Sequence, residues 1–337
     1  MDRRCAMRAV ARLAIAAAAV LAAGASAFAA ERLKVGSQKT VSPIYIAQAK
    51  GYFAAQGLEV ELVYFEAALP IASAVVSGDV DIGISGLTGA VYSLAEQGQL
   101  RLIAGQTHEM PGYRANTVAA SNKAYAAGLR SFKDLPGHSV AVTQIGSAFH
   151  YDLGLLAEKY GFDLKTIRIL PLQTNPNSVA AVTGGSADAA ISLATYLMPA
   201  IDRGNAKLIG FIGDEAPWQL AALYVAMKTA NERQDMVAKF LAAFRTATRD
   251  YHDAFTGPDG ARRDGPTAPA IVDIIAKATG EPADWVKGGI GYIDADARID
   301  VKDIDHQVEW FKAQNLLKGS LRGAQLIDMR YALPLGG

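Results

Sequence analysis

From Leu33 to about Ile212, short runs of apolar, β-branched residues alternate with helix-length segments, the pattern of parallel α/β units. Leu33 to Ser37 reads as a first strand. Ser42-Pro43 supplies an N-cap and a first-position proline for a helix holding Ile44, Tyr45, Ala47 and Gln48. Leu58 to Phe65 alternates as a strand, Ala68 to Val76 is helical, and Val80 to Ser85 is a third strand. A helix through Leu94 and a strand from Leu100 to Gly105 complete the set.

The order then recurs: strand Ser139 to Val142, helix Ala148 to Tyr160, strand Thr166 to Leu170, helix Asn177 to Thr183, strand Ala187 to Ser192. The best internal match sets Gly78-Asp79-Val80-Asp81-Ile82-Gly83-Ile84-Ser85 against Gly185-Ser186-Ala187-Asp188-Ala189-Ala190-Ile191-Ser192. Both read Gly-x-x-Asp-x-x-Ile-Ser. Glycine suits the left-handed end of a helix, and serine suits the cap of the next one. Two similar α/β lobes explain the recurrence.

Beyond the second set, Gly213 to Pro217 reads as a crossing and Leu220 to Met227 as a strand. A long amphipathic helix follows, with Val237, Phe240, Leu241, Phe244, Tyr251 and Phe255 on one face. Helices near Ala270 to Ala278, Pro282 to Val286 and Asp303 to Gln314 make a tail that is expected to be wholly helical and to dock on a lobe.

The first 29 residues are patterned differently. Arg3, Arg4, Arg8 and Arg12 precede an apolar run from Leu13 to Ala23, and Ala27-Phe28-Ala29 offers a cleavage site. This layout is that of a secretory signal peptide, and the uncharged stretch is too short and alanine-rich for a good membrane anchor. Its removal would take Cys5, the one cysteine of the chain. The remainder would then have neither disulfides nor thiolate chemistry, and its stability would come from core burial.

Composition narrows the function. The 337 residues balance 33 Lys and Arg against 33 Asp and Glu, with 51% hydrophobic residues. Zero net charge without a basic stripe argues against a nucleic-acid partner. The length and apolar fraction suit a globular chain with core enough for two domains.

The catalytic inventory is thin. There is no phosphate-cradling Gly-x-x-x-x-Gly-Lys run. Gly83-x-Ser85 would need a glycine at Leu87 to form a nucleophile elbow. His108, His138, His150, His252 and His306 show no metal-ligand spacing. The acidic stretch Asp294, Asp296, Asp300 has Ile299 where a calcium loop needs its turn glycine, so it reads as a solvated loop. Gly289-Ile290-Gly291 lacks the third glycine of a dinucleotide site. No catalytic residue, metal or cofactor is expected.

What remains is a binding geometry. In open α/β sheets, ligands sit beyond the carboxyl ends of strands, where helices begin. Of the residues at those places, Ser37 and Gln38, Ser85, Gly86 and Thr88, His108, Gln144, Gly146 and Ser147, Gln173, and Ser192 are expected to bind ligand, with Thr40, Leu87, Gln106, Thr107, Thr143, Ile145, Thr174 and Leu193 beside them. Ser85 and Gly146-Ser147 are expected to open helices and offer anion seats through free N–H groups. Aromatic and cationic candidates are Tyr45, Phe149, His150 and Tyr196, with Lys39, Arg114, Tyr113 and Trp218 as further ones. They suit an anionic head on a planar or apolar body.

Several of these stretches form a specific combination. Gly51-Tyr52-Phe53, then Gln56-Gly57-Leu58 with Val60, then Ser77 to Gly83, resemble solute-binding proteins of the nitrate/sulfonate/taurine ABC-importer family. Phe132-Lys133-Asp134-Leu135-Pro136-Gly137, leading through Ser139 to Val142 and on to Gly146-Ser147, is similar to that family's second-lobe opening. His138 stands where lysine is usual.

The resemblance implies a type II periplasmic-binding fold: two α/β lobes with a ligand cleft between them and two hinge crossings. Residues 30–120 and 217–337 would form lobe 1 with the C-terminal helices, and 121–216 lobe 2. It also implies a periplasmic, monomeric, non-enzymatic protein that hands a small organic anion (sulfonate, carboxylate or aromatic acid) to an inner-membrane permease. The thiamine-pyrimidine synthase proteins resemble the same family and supply the alternative, binding or synthesis of a pyrimidine precursor. They use a histidine and a cysteine-rich motif that this chain lacks.

Overall fold

The computed structural model describes residues 30–335, so the signal-peptide reading of residues 1–29 lies outside the described residues. One five-stranded sheet is built from β1 (Glu31–Ser37), β2 (Leu58–Tyr64), β3 (Ile82–Gly86), β4 (Leu100–Gly105) and β12 (Ala221–Ala226). A second contains β6 (Asn116–Ser121), β7 (Ser139–Val142), β8 (Arg168–Pro171), β9 (Ala189–Leu193) and β10 (Ala206–Phe211). Between them lie β5 (Thr107–Glu109), β11 (Trp218–Gln219) and β13 (Tyr292–Ile293), paired as β11-β5-β13.

The two large sheets have the same topology. The strand order is β2-β1-β3-β12-β4 in one and β8-β7-β9-β6-β10 in the other. In each, the first three strands are parallel and the fourth place is taken by an antiparallel strand belonging to the other half of the chain. The halves thus exchange one strand each, β6 outward and β12 back.

The repeated sequence has a physical role in this topology. Asp81 Oδ2 accepts the N–H of Lys34 at 2.7 Å, at the start of the β1–β3 ladder. Asp188 Oδ2 accepts the N–H of Ser139 at 2.8 Å at the same point of the β7–β9 ladder. Each carboxylate satisfies a donor that the parallel ladder leaves open.

Several elements differ from the sequence expectation. β6 and β10 are strands, and Ala194–Asp202 is a helix with Pro199 inside it. Ile212–Glu215 forms a helical turn, and the return crossing is β11. The tail is not wholly helical: β13 pairs with β5, Ile327 bridges Leu102, and Pro334 bridges Ile299. These are non-local pairings of very short segments, which periodicity does not reveal.

The Gln234–Phe255 helix lays Val237, Phe240, Phe244 and Phe255 into the core of the first half, with Phe240 stacked on Phe53 at 5.0 Å. The Val301–Ala313 helix spans both halves. Its Gln307 accepts the Tyr92 hydroxyl proton at 2.8 Å, and its Trp310 ring lies against Gly154. A Cβ at Gly154 would fall 2.3 Å from that ring, so only glycine admits the contact. Among the described residues no helix is long and apolar enough to cross a membrane.

Candidate functional site

The carboxyl ends of the strands in both sheets converge on a narrow cavity of about 70 Å³. From the first half come Ser37, Gln38 and Thr40 after β1, then Ser85, Gly86 and Thr88, then Gln106 and Thr107. The second half supplies Asn116, Thr143, Gln144, Ser147, Ala148, Phe149 and Thr195. Tyr251, Gly289, Gly291 and Ile293 close one wall. Among the described residues, no Lys, Arg, His, Asp or Glu lines it.

Eight of the fifteen expected positions line this cavity: Ser37, Gln38, Ser85, Gly86, Thr88, Gln144, Ser147 and Phe149. They do not all act as expected. Ser85 opens no helix; it lies inside β3, one residue before its end, with its hydroxyl 2.8 Å from that of Tyr224. The cap of the Gly89–Glu96 helix is Thr88, whose Oγ1 accepts the Val91 N–H at 3.2 Å. Ser147 does cap the Ala148–Tyr160 helix, its Oγ accepting the His150 N–H at 3.3 Å. The Ala148 and Phe149 N–H groups of that first turn have no acceptor among the described residues, and both residues face the cavity. They are the donors that a helix N-terminus offers an anion.

The other seven lie behind or beside the lining. Gly146, at φ +81°, donates its N–H to His150 Nδ1 at 3.1 Å, and its carbonyl accepts the Gly89 N–H at 2.9 Å. Accepting at Nδ1 makes His150 neutral, and burial pushes its pKa down to about 4. His108 sits edge-on to the Tyr292 ring, and burial lowers its pKa to about 4 as well. Tyr45 is a core residue of the first half. Gln173 bonds through its N–H to the Thr143 carbonyl, and Ser192 donates to Asn175 Oδ1 at 2.8 Å. Tyr196 is half-buried, which pushes its pKa up to about 12.

The cations are also spoken for. Lys39 pairs with Glu281 at 2.8 Å, and the Arg114 guanidinium lies over the Phe211 ring. Trp218 and Tyr113 likewise use their polar atoms elsewhere, Trp218 on Asp152 and Tyr113 on Thr256.

Sequence reasoning missed Asn116, Thr195 and the Tyr251 to Ile293 wall, while Gln106 and Thr107, placed at a strand end beside His108, do line the cavity. A usable signal was present at Gly289-Ile290-Gly291. A Cβ at Gly289 would fall 2.2 Å from Thr195 Cγ2, and one at Gly291 would fall 2.8 Å from Thr107 Cγ2. These glycines let the tail close on the cleft.

Behind Asn116 lie two buried carboxyls. Asp152 accepts from Asn116 Nδ2–H at 2.7 Å and from Trp218 Nε1–H at 3.0 Å. Glu109 Oε1 accepts the Asn116 backbone N–H at 2.7 Å. Burial first, then the Asp152 carboxyl beside it, pushes the Glu109 pKa well above the usual carboxylate range, and burial raises the Asp152 pKa as well.

Two lobes of like topology, two crossings and a polar cleft at the strand ends are the arrangement of the type II periplasmic-binding fold. The model of the NMT1/THI5 like family matches residues 38–261, and the chain belongs to that family. It is 24% identical over 303 residues, 81% of this chain and 85% of the other, to a Bacillus subtilis (strain 168) protein provisionally named an aliphatic sulfonates-binding protein.

Two solved structures of similar fold are sulfonate-binding proteins. The alkanesulfonate-binding protein SsuA of Xanthomonas axonopodis pv. citri, bound to MOPS, has a TM-score of 0.70 at 20% identity, covering 88% of this chain and 98% of that one. The periplasmic aliphatic sulphonate binding protein SsuA of Escherichia coli has a TM-score of 0.66 at 20% identity, covering 91% and 94%. The fold also carries an enzyme: the desulfurization enzyme DSZB superposes with a TM-score of 0.59 at 14% identity, covering 90% and 96%.

Proposed function

We propose that this protein is the periplasmic solute-binding component of an ABC importer, which captures a small organosulfonate between its lobes and delivers it, unconverted, to a membrane permease. The observation that carries this reading is the lining. The cleft offers neutral donors and an open helix N-terminus, and no charged side chain lines it among the described residues.

Such a site favours an anion that stays ionised when stripped of water. A sulfonate has a very low pKa and three equivalent oxygens, so it can collect bonds from Ser147, Ala148, Phe149 and Gln144 without taking a proton. A carboxylate, desolvated without a cation, gains a proton more readily. The small cavity favours a short ligand. The absence of a nucleophile–base pair along the lining favours binding over conversion.

Titration calorimetry with matched series of C2–C4 alkanesulfonates and carboxylates tests the reading. Sulfonates binding at least tenfold tighter than carboxylates of equal length, and recovered unchanged, is the expected result. Equal affinity, or turnover detected by mass spectrometry, overturns it.

A further inference from the structure

We propose that the ligand carries, besides its anionic head, one uncharged hydrogen-bond donor such as a hydroxyl, and that Thr195 and Asn116 read it. The inference rests on the sulfonate reading and narrows it.

Thr195 and Asn116 line the same cavity, and their side chains are 2% and 0% exposed. Thr195 Oγ1 and Asn116 Oδ1 have no hydrogen-bond partner among the described residues. Buried polar atoms are nearly always paired, so two orphans in one cleft mark where a ligand group belongs.

Their chemistry can be assigned. Asn116 Nδ2–H donates to Asp152 Oδ2 at 2.7 Å, and Asp152 Oδ1 is filled by the Trp218 indole at 3.0 Å. Burial raises the Asp152 pKa; while that carboxyl is ionised, turning the amide over would set its oxygen against a carboxylate oxygen. Asn116 therefore keeps Oδ1, an acceptor only, as its free end. The Thr195 methyl points at Gly289, where an added Cβ would stand 2.2 Å away, and this contact holds the hydroxyl in place. A hydroxyl both accepts and donates, so one ligand O–H placed within reach of both atoms would donate to Asn116 and accept from Thr195.

An ammonium does not meet the same need. Stripped of water it requires a carboxylate partner, and none lines the cleft among the described residues. A plain alkyl end leaves both orphans unpaired. Sites built to hydrogen-bond a group reject analogues that lack it more strongly than apolar pockets reject an added group.

The test is calorimetry on the purified protein with ethanesulfonate, 2-hydroxyethanesulfonate and 2-aminoethanesulfonate. The hydroxy compound should bind at least tenfold tighter than either of the others. Thr195→Val should bring its advantage over ethanesulfonate below threefold, and Thr195→Ser should restore it. Equal or better binding of ethanesulfonate or of the amine overturns the inference and leaves the sulfonate reading standing. An advantage that survives Thr195→Val overturns the role given to Thr195. Should all three sulfonates fail, the sulfonate reading falls, and the inference is decided on propionate against 3-hydroxypropionate. Equal affinity there, or no binding in either series, overturns it too.

Discussion

The backbone N–H of Gly89 donates to the carbonyl of Gly146 at 2.9 Å, joining the first helix turn of one half to the loop that opens the main helix of the other. Gly146 sits at φ +81°, a conformation that glycine adopts without strain. The bond runs between the two halves, so it forms only when they are together. With the narrow cavity behind it, it marks a closed arrangement.

Closure is the first expectation. Binding proteins with two crossings open and shut about them, and here the crossings run through Glu109 to Asn116 and Ile212 to Trp218. The ligand-free protein should populate a more open form in solution, with a radius of gyration that falls when ligand is added. Ligand at a hundredfold excess over its dissociation constant should stabilise the fold by about 2.7 kcal/mol. Small-angle scattering that does not change at saturating ligand removes the closure claim.

The paired aspartates are the second. Asp188→Ala strips an acceptor from the buried Ser139 N–H and hydroxyl, and Asp81→Ala does the same to the Lys34 N–H. Asp188→Ala should cost about 1–3 kcal/mol, the penalty of a buried unsatisfied donor, and Asp81→Ala less than that for the exposed Lys34 N–H, plus the loss of its ion pair with Arg233. The sites lie in different sheets, so the double variant should show nearly the sum. Urea unfolding of the three variants measures this, and a double variant no worse than either single one refutes the equivalence.

How far these features could be read from sequence depends on how local their causes are. The Ala148–Tyr160 helix is legible to the residue, because Ser147 caps it and Gly161, at φ +70°, ends it. The Asp81 and Asp188 repeat is legible for the same reason: it serves an αβ junction. The strand Asn116–Ser121 is not, because Asn-Thr-Val-Ala-Ala-Ser has a single strongly apolar residue and is buried only by pairing with β9 and β10. Asn116 and Thr195 were missed with it. Lys39 and Arg114 look free in sequence, but Glu281 and Phe211, far along the chain, engage them. Half of the cleft is thus local grammar and half is tertiary pairing.

Two buried groups give stability opposite dependences on pH. His108 is held neutral by burial, with its pKa lowered from 6.5 to about 4. The unfolded chain takes up a proton below about pH 6.5 that the folded chain refuses. Stability present above 6.5 is therefore lost as pH drops toward 4, by on the order of 3 kcal/mol. Glu109 works the other way. Its pKa is raised above 4.5, so the folded chain keeps a proton that the unfolded chain releases, and stability is lost as pH climbs from 4.5 through the folded value. Glu109→Gln keeps the acceptor for the Asn116 N–H and removes the titration. Its stability relative to wild type should rise as pH climbs above about 4.5 toward neutrality, in chemical denaturation series. A constant difference across that range contradicts the assignment.

Ser147 separates capping from ligand binding. Its Oγ caps the Ala148–Tyr160 helix, and the residue also faces the cavity beside the open Ala148 and Phe149 N–H groups. Ser147→Ala loses one hydrogen bond to ligand and part of the cap. Affinity should drop about 5- to 30-fold, corresponding to 1–2 kcal/mol, and the unliganded protein should lose about 1 kcal/mol. Ser147→Asp is the sharper variant. Aspartate caps as well as serine does and favours a helix N-terminus, so the unliganded fold should be as stable as wild type. Its carboxylate, however, stands where the anionic head must sit, and like charges in a dry cleft repel strongly. Binding should fall more than a hundredfold while melting temperature without ligand is unchanged. Calorimetry that finds Ser147→Asp binding sulfonate as tightly as wild type would show that the anion sits elsewhere.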